Sequence, residues 1–212
     1  MSEHKCESQG VNLDHECKMS NSEIITEEVK QELKNVRFST KDLCGKEFYN
    51  CTLSNCIFSD IDMSDSKFYD TIFINCNFSN SRYSATQFRD TSFRGCKLIG
   101  AGFSDKNFAF SANFTECDLR YADFSELNLS KKHFHQCNLD AARFMRCNLK
   151  ETKFTESSFK GTIFHNCNLQ HATFIEAKYL FIDPMQNKVK DTSVDILTAG
   201  NIVNHFGFNI VC

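Results

Sequence analysis

Large apolar residues recur at every fifth position along most of this 212-residue chain. The series begins at Phe38 and continues through Leu43, Phe48, Leu53, Phe58, Met63, Phe68, Phe73, Phe78, Tyr83, Phe88, Phe93, Leu98, Phe103 and Phe108. One residue is then inserted. The series resumes at Phe114 and runs to Phe174 using only Phe and Leu, with Tyr179 in the next slot. A second series sits two residues before each of these positions and holds short side chains, among them Cys56, Ser66, Thr71, Cys76, Thr86, Cys96, Ala122, Thr152 and Ser157. The exceptions are Val36, Lys41, Lys46, Ile61, Lys106, Leu127 and Lys132, whose longer side chains must bend outward or widen the core.

A period of five fits neither the 3.6 of a helix nor the 2 of a strand. One large and one small inward residue in every five reads as one side of a coil. Such a unit buries little by itself and must stack on copies of itself. The cysteines give the length of a full coil. Cys56, Cys76 and Cys96 are 20 apart, Cys117 follows after 21 because of the insertion, and Cys137 after 20 more. Cys147 and Cys167 repeat the interval on another side. Asn or Asp often follows the small residue, as in Cys76-Asn77-Phe78 and Cys137-Asn138-Leu139, and can satisfy backbone groups in turns.

A stacked rod needs its ends covered. Ser20-Asn21-Ser22-Glu23 has the form of a capping box, and Ile25, Val29, Leu33 and Val36 follow at near-helical spacing, which predicts a helix near 22–34. Residues 1–19 read as a polar, disordered tail. At the other end Ser193 is expected to cap a helix near 194–205 that Gly207 terminates, followed by a short apolar strand, Phe208-Asn209-Ile210-Val211. The chain thus divides into a tail and capping helix (1–35), a repeat body (36–180) and a C-terminal module (181–212).

Composition narrows the class. There are 22 Phe, 12 Cys, one Pro and no Trp. The charged residues nearly balance, 24 basic against 27 acidic, which excludes a strongly basic nucleic-acid binder. No run approaches the roughly 18 apolar residues of a membrane helix. The polar start of the chain has no apolar signal region, so a cytoplasmic protein with no membrane contact is expected.

Candidate chemistry is sparse. Eight cysteines fall in the small inward slot, where a thiol acts as a small hydrophobe. Their parallel Cβ directions oppose disulfides. His4-Lys5-Cys6 and His15-Glu16-Cys17 could ligate a metal but match no common finger spacing. His133, His135, His165 and His171 sit in no nucleophile motif. No catalytic residue, metal or cofactor is expected.

The repeated unit, a small residue, Asn or Asp, then Leu or Phe and two variable positions, resembles the pentapeptide-repeat proteins over about residues 36–180. That resemblance implies an all-β solenoid, a right-handed quadrilateral β-helix with four pentapeptides per coil and about seven coils here. The segment Phe114-Thr115-Glu116-Cys117-Asp118-Leu119-Arg120-Tyr121-Ala122-Asp123-Phe124 and the ending Phe181-Ile182-Asp183-Pro184-Met185-Gln186-Asn187-Lys188-Val189 are similar to the Qnr, McbG and AlbG-like gyrase-protecting group within that family. The group implies a non-enzymatic protein that binds DNA gyrase or topoisomerase IV and relieves quinolone or toxin poisoning, with no direct nucleic-acid binding. It also implies a homodimer joined end to end through Leu197, Ile202, Phe206, Phe208 and Ile210. The chain departs from the plasmid-borne members in lacking two projecting loops. Its only interruption lies at Asp105-Lys106-Asn107-Phe108-Ala109-Phe110-Ser111.

Members of the group are often described as imitating DNA. Residues 36–180 hold 16 acidic and 18 basic side chains, about +2 in all. Duplex DNA of the same roughly 34 Å length carries about 20 negative charges. Only a local stripe could be DNA-like. Asp62, Asp65, Asp105, Asp123 and Glu126 are expected on one face, with Lys106 and Asn107 beside them, as the partner-binding set. Arg82 interrupts the stripe, and Arg143 and Arg146 end it. The alternative is a pentapeptide-repeat scaffold or secreted effector that binds some other protein through the side of the rod.

Overall fold

The computed structural model describes residues 31–103 and 110–210. The chain winds as a β-solenoid of about eight turns, the all-β class expected from the period. Each turn has four short walls, and equivalent positions in successive turns lie 20 residues apart, or 21 across the insertion. The first wall is a continuous parallel sheet, from strand Gln31–Lys34 to strand Ser193–Val194. In it Leu33 pairs with Leu53, Phe73 with Phe93, Phe93 with Phe114, Phe134 with Phe154, and Phe174 with Val194. The second wall is held by single bridges such as Ile57 to Asn77 and Asp118 to Asn138. The third carries strands Arg143–Met145 and Ile163–His165, and the fourth strands Glu47–Tyr49 and Lys67–Tyr69.

The fifth-residue series fills the interior. Phe58, Phe73, Phe93, Phe114, Phe124, Phe134, Phe144 and Phe154 have no solvent exposure. Along a wall the rings stack nearly parallel: Phe114 to Phe134 at 5.1 Å and 17°, Phe134 to Phe154 at 4.9 Å and 18°. Between walls they meet edge to face, as Phe134 meets Phe144 at 6.1 Å and 85°. Both geometries suit the aromatic quadrupole. The right angle between them is the square cross-section.

The second series has a role beyond small size. Many of its Cys, Ser and Thr side chains donate to main-chain carbonyls of the preceding turn, 23 residues back, or 24 across the insertion. Ser66 Oγ donates to Leu43 O at 2.8 Å, Thr152 Oγ1 to Leu129 O at 2.8 Å, and Cys76 Sγ to Leu53 O at 3.2 Å. A donor one atom beyond Cβ reaches across one rung, so these buried groups are satisfied. Among the exceptions, Leu127 is buried in the core, while Val36 and Ile61 pack partly buried against it. Lys41 points outward from the short helix α1, Thr40–Leu43.

Corners are left-handed. Asn35, Asn55, Asp65, Asn75, Asp90, Glu116, Gln136, Ala141 and Glu156 all have φ between 52° and 62°. Many form β-turns in which the residue after the corner bonds back three positions, as Ala142 N–H donates to Leu139 O at 2.9 Å. A left-handed third residue is the type II arrangement. In the first half of the rod these positions are nearly all Asn, Asp or Gly, the residues that tolerate it best. In the second half Glu, Gln, Lys, Arg and Ala are common.

Several expectations change at the ends. Residues 31–34 are a strand, not the end of a helix: Leu33 is the first rung of the ladder, and its near-helical spacing to Val36 is coincidental. The rest of the expected helix and tail, with His4, Cys6, His15 and Cys17, lies outside the described residues, as does Phe108. Phe110 instead stands opposite Phe88 across a register shift. Tyr179 does not take the inward slot. It sits at a left-handed corner and is exposed, and Leu180 is buried in its place. Ser193 belongs to the last strand, and Asp195 caps helix α2, Ile196–His205. Residues 208–210 form no strand; Ile210 instead lies against helix α2, beside Gly200.

Two substitutions test this core. Phe134→Ala should lower the free energy of unfolding by about 3–5 kcal/mol in urea titration, since it empties a site stacked on both sides. Ala141→Gly should raise it by about 0.5–1 kcal/mol, because it removes a left-handed Cβ.

Candidate partner-binding surfaces

The described residues present walls and edges. The acidic set lies on the third wall and its far edge. Asp62 and Asp123 occupy one column on that wall. Asp65 and Glu126 occupy left-handed corners beside it, with φ of 61° and 67°. The structure therefore brings these four to one side. It also interleaves them with cations. Asp62 stands in register with Arg82, their charged groups 3.7 Å apart, and Asp123 with Arg143. Glu126 accepts from Arg146 Nε at 3.1 Å. Asp105, Lys106 and Asn107 lie outside the described residues.

The aspartates also serve the backbone. Asp62 Oδ1 accepts from Ser64 N–H at 3.0 Å, and Asp123 Oδ1 from Ser125 N–H at 2.9 Å. Bonds from Ser64, with Arg82 nearby, hold the Asp62 carboxyl below the usual carboxylate range. Asn138, Asn148 and Asn168 make the same contact two residues on. These side chains close Asx-type turns.

A feature that the five-residue period conceals appears on the fourth wall. Tyr49 and Tyr69 stack at 5.0 Å, and the Arg89 guanidinium lies 5.2 Å from the Tyr69 ring centre. Beside them Lys67 Nζ donates to Glu47 Oε1 at 2.6 Å, and Tyr69 Oη to Gln87 Oε1 at 2.9 Å. Burial, then the Glu47 carboxylate, pushes the Tyr49 phenol up to about 12. The signal in the sequence is the interval of 20, read on outward positions rather than inward ones. Tyr121, 65% exposed at another left-handed corner, was likewise outside the inward series.

The C-terminal module lies over the last turn. Thr198 of α2 is buried and donates to Ala177 O at 3.2 Å. Ile202, one turn on, packs against the core, so it faces the rod more than solvent. Leu197, Phe206, Phe208 and Ile210 are exposed, at 80%, 48%, 66% and 50%, together with Ile196 and Val203. Ile210 folds back on α2, where a Cβ added to Gly200 would lie 3.1 Å from its Cδ1. A groove of about 770 Å³ separates α2 from the last turn, lined by Lys178, Tyr179, Phe181, Asn201 and His205 among others.

Nine cysteines of the described residues are free thiols, all but Cys44 buried. Burial, followed by the neighbouring Cys137 thiol, pushes Cys117 upward, so it stays protonated. Among the described residues no group of three His, Cys, Asp or Glu is placed to hold a metal ion, and no helix is long and apolar enough to cross a membrane.

The attachment of α2 carries a pH signature. Asp195 accepts from Thr198 N–H at 2.8 Å and Glu176 N–H at 2.6 Å, and these bonds lower its carboxyl. A depressed carboxylate stabilises above its unfolded pKa of about 3.9 and loses that contribution as pH falls through the lower folded value. The melting temperature of the wild type should therefore fall more steeply below about pH 4 than that of Asp195→Asn, as followed by circular dichroism.

The model of a "Pentapeptide repeat region" matches residues 66–144 and 109–180, and that of "Pentapeptide repeats (8 copies)" matches residues 47–82. No curated protein matches the sequence. Among solved structures, trypsin-treated QnrB1, a plasmid-mediated fluoroquinolone resistance protein, is similar at 20% identity and TM-score 0.50, covering 85% of this chain and 98% of that one. Full-length QnrB1 is 19% identical with a TM-score of 0.37, over 84% and 98% of the two chains. HetL, a pentapeptide-repeat protein involved in heterocyst differentiation regulation from the cyanobacterium Nostoc sp. strain PCC 7120, is 14% identical with a TM-score of 0.38, over 77% and 85%. At 20% identity the likeness to the first of these speaks to the fold alone, a right-handed β-helix. With the repeat matched across most of the rod and the square core beneath it, this chain belongs to the pentapeptide-repeat proteins.

Proposed function

We propose that this protein is a non-enzymatic binding rod that engages DNA gyrase or topoisomerase IV in the cytoplasm and relieves quinolone or toxin poisoning. The observation that carries the reading is the exposed apolar module at the rod's end. Leu197, Phe206, Phe208 and Ile210 are all exposed on this short C-terminal stretch, and a grouping of bare apolar side chains marks a surface suited to a protein contact. A second copy joined there gives an end-to-end homodimer whose long sides remain available to a large partner. The similarity of Phe114–Phe124 and Phe181–Val189 to the gyrase-protecting group supports the choice of partner, and QnrB1, a fluoroquinolone resistance protein, has the same fold. Ile202 contributes less to this interface than its neighbours, because it already packs on the core.

Full DNA mimicry is not the mechanism favoured. Arg82, Arg143 and Arg146 sit among Asp62, Asp123 and Glu126 and cancel the stripe's field. Protection then comes from contacts that destabilise the drug–enzyme–DNA complex. The same cancellation favours the second reading, a scaffold that binds another protein through its walls.

Gyrase supercoiling with ciprofloxacin, with and without this protein, tests the first reading: recovery of supercoiling is expected, and none at any concentration refutes it. A pull-down that recovers another stable partner and no topoisomerase subunit supports the scaffold. Sedimentation of Phe206→Asp tests the interface, with a halved mass expected and an unchanged mass refuting it.

A further inference from the structure

The edge where the fourth wall turns into the first changes sign along the rod. Near its start it carries Glu32, Asp70 and Asp90 with Arg89. Farther on it carries Lys131, Lys132, Lys150, Lys153 and Lys190 against Glu151 and Asp191. The single carboxylate of Glu151 is shared, 3.9 Å from Lys131 and 3.7 Å from Lys150. Lys132 Nζ donates to Ser111 Oγ at 2.6 Å, and Ser111 Oγ donates to Asp90 at 2.8 Å, at the junction between the two signs. Lys153 is exposed and has no ion-pair partner among the described residues. The His133 imidazole, between these cations, is held below its ordinary value by burial and by Lys153 and Lys132.

The chain enters the rod on this same edge. Gln31 stands in register with Cys51, which directly follows the left-handed corner residue Asn50. Continuing that column leads through Thr71, Thr91 and Ala112 to Lys132, five rungs away. At about 4.8 Å per rung the distance is roughly 24 Å. Residues 1–30 hold seven carboxylates and three lysines, a net charge of −4 (3 − 7). Thirty residues suffice for that distance, since even the average span of a random chain of this length is about 30 Å, and Glu3, Glu7, Asp14 and Glu16 are the carboxylates farthest along it from the rod. Asp70 and Asp90, lying between, repel them from the nearer part.

We propose that the basic edge from Lys131 to Lys153 is the docking surface for the chain's own acidic N-terminal segment. The tether holds the segment at millimolar effective concentration, so a weak contact is enough. Being formed by exposed charges, the contact weakens as salt rises. This does not rest on the topoisomerase reading.

The test compares the full chain with a full-length variant carrying Glu3→Gln, Glu7→Gln, Asp14→Asn and Glu16→Gln. The readout is the NMR titration of His133. In about 10 mM salt its midpoint should fall in the variant by about 0.4 pH unit for each carboxylate previously held ~8 Å from the ring. In about 0.5 M salt the two titrations should coincide. With Lys150→Glu and Lys153→Glu already in place, neutralising the segment should no longer move the midpoint. Equal midpoints in low salt would overturn the proposal. A difference that grows with protein concentration would also overturn it, by assigning the occupant to a second copy.

Discussion

Two distances coincide in this protein, and the rest follows from their agreement. Parallel strands hydrogen-bond at about 4.8 Å, and aromatic rings stack from about 4.5 Å upward. A Phe placed above a Phe one turn earlier therefore meets its partner without stretching the backbone ladder, as Phe154 and Phe174 do at 4.7 Å. Leu fills the same column where a ring is absent, as at Leu119, Leu139 and Leu149. Every other choice in the turn serves this register. Short donors satisfy the carbonyls beneath them, and left-handed corners keep each wall to a few residues.

That is why the body was legible from the sequence. The inward residues alternate with outward ones on a fixed count, and each count is enforced by its own buried contact. A single insertion was visible as one slip of phase, and it coincides with the shift between Phe88 and Thr91 against the next strand. The ends were less legible because the count stops there. Leu33 fits both a ladder and a helix by spacing, and only its pairing with Leu53 decides. Tyr179 has the right number and the wrong environment, since the turn it closes is followed by Phe181 and the C-terminal module rather than another regular wall.

The candidate surfaces divide in the same way. Asp62, Asp65, Asp123 and Glu126 could be placed on one side by counting alone, because counting fixes direction. The energetic content of that side could not be counted. It depends on whether Arg146 turns toward Glu126, and on Asp62 using an oxygen for Ser64. Tyr49 and Tyr69 escaped notice because outward columns obey no filling rule, so a stacked pair there has no surrounding pattern to announce it.

The four-walled turn also sets how such a rod can change length. Gaining or losing 20 residues adds or removes one rung and leaves every surviving column beneath its old neighbour. Gaining or losing five rotates everything downstream by a quarter revolution and presents a different wall to any bound macromolecule. A lineage that keeps its partner is then confined to steps of about 4.8 Å, whereas one that drops a single pentapeptide acquires a new front at the loss of one large and one small inward residue.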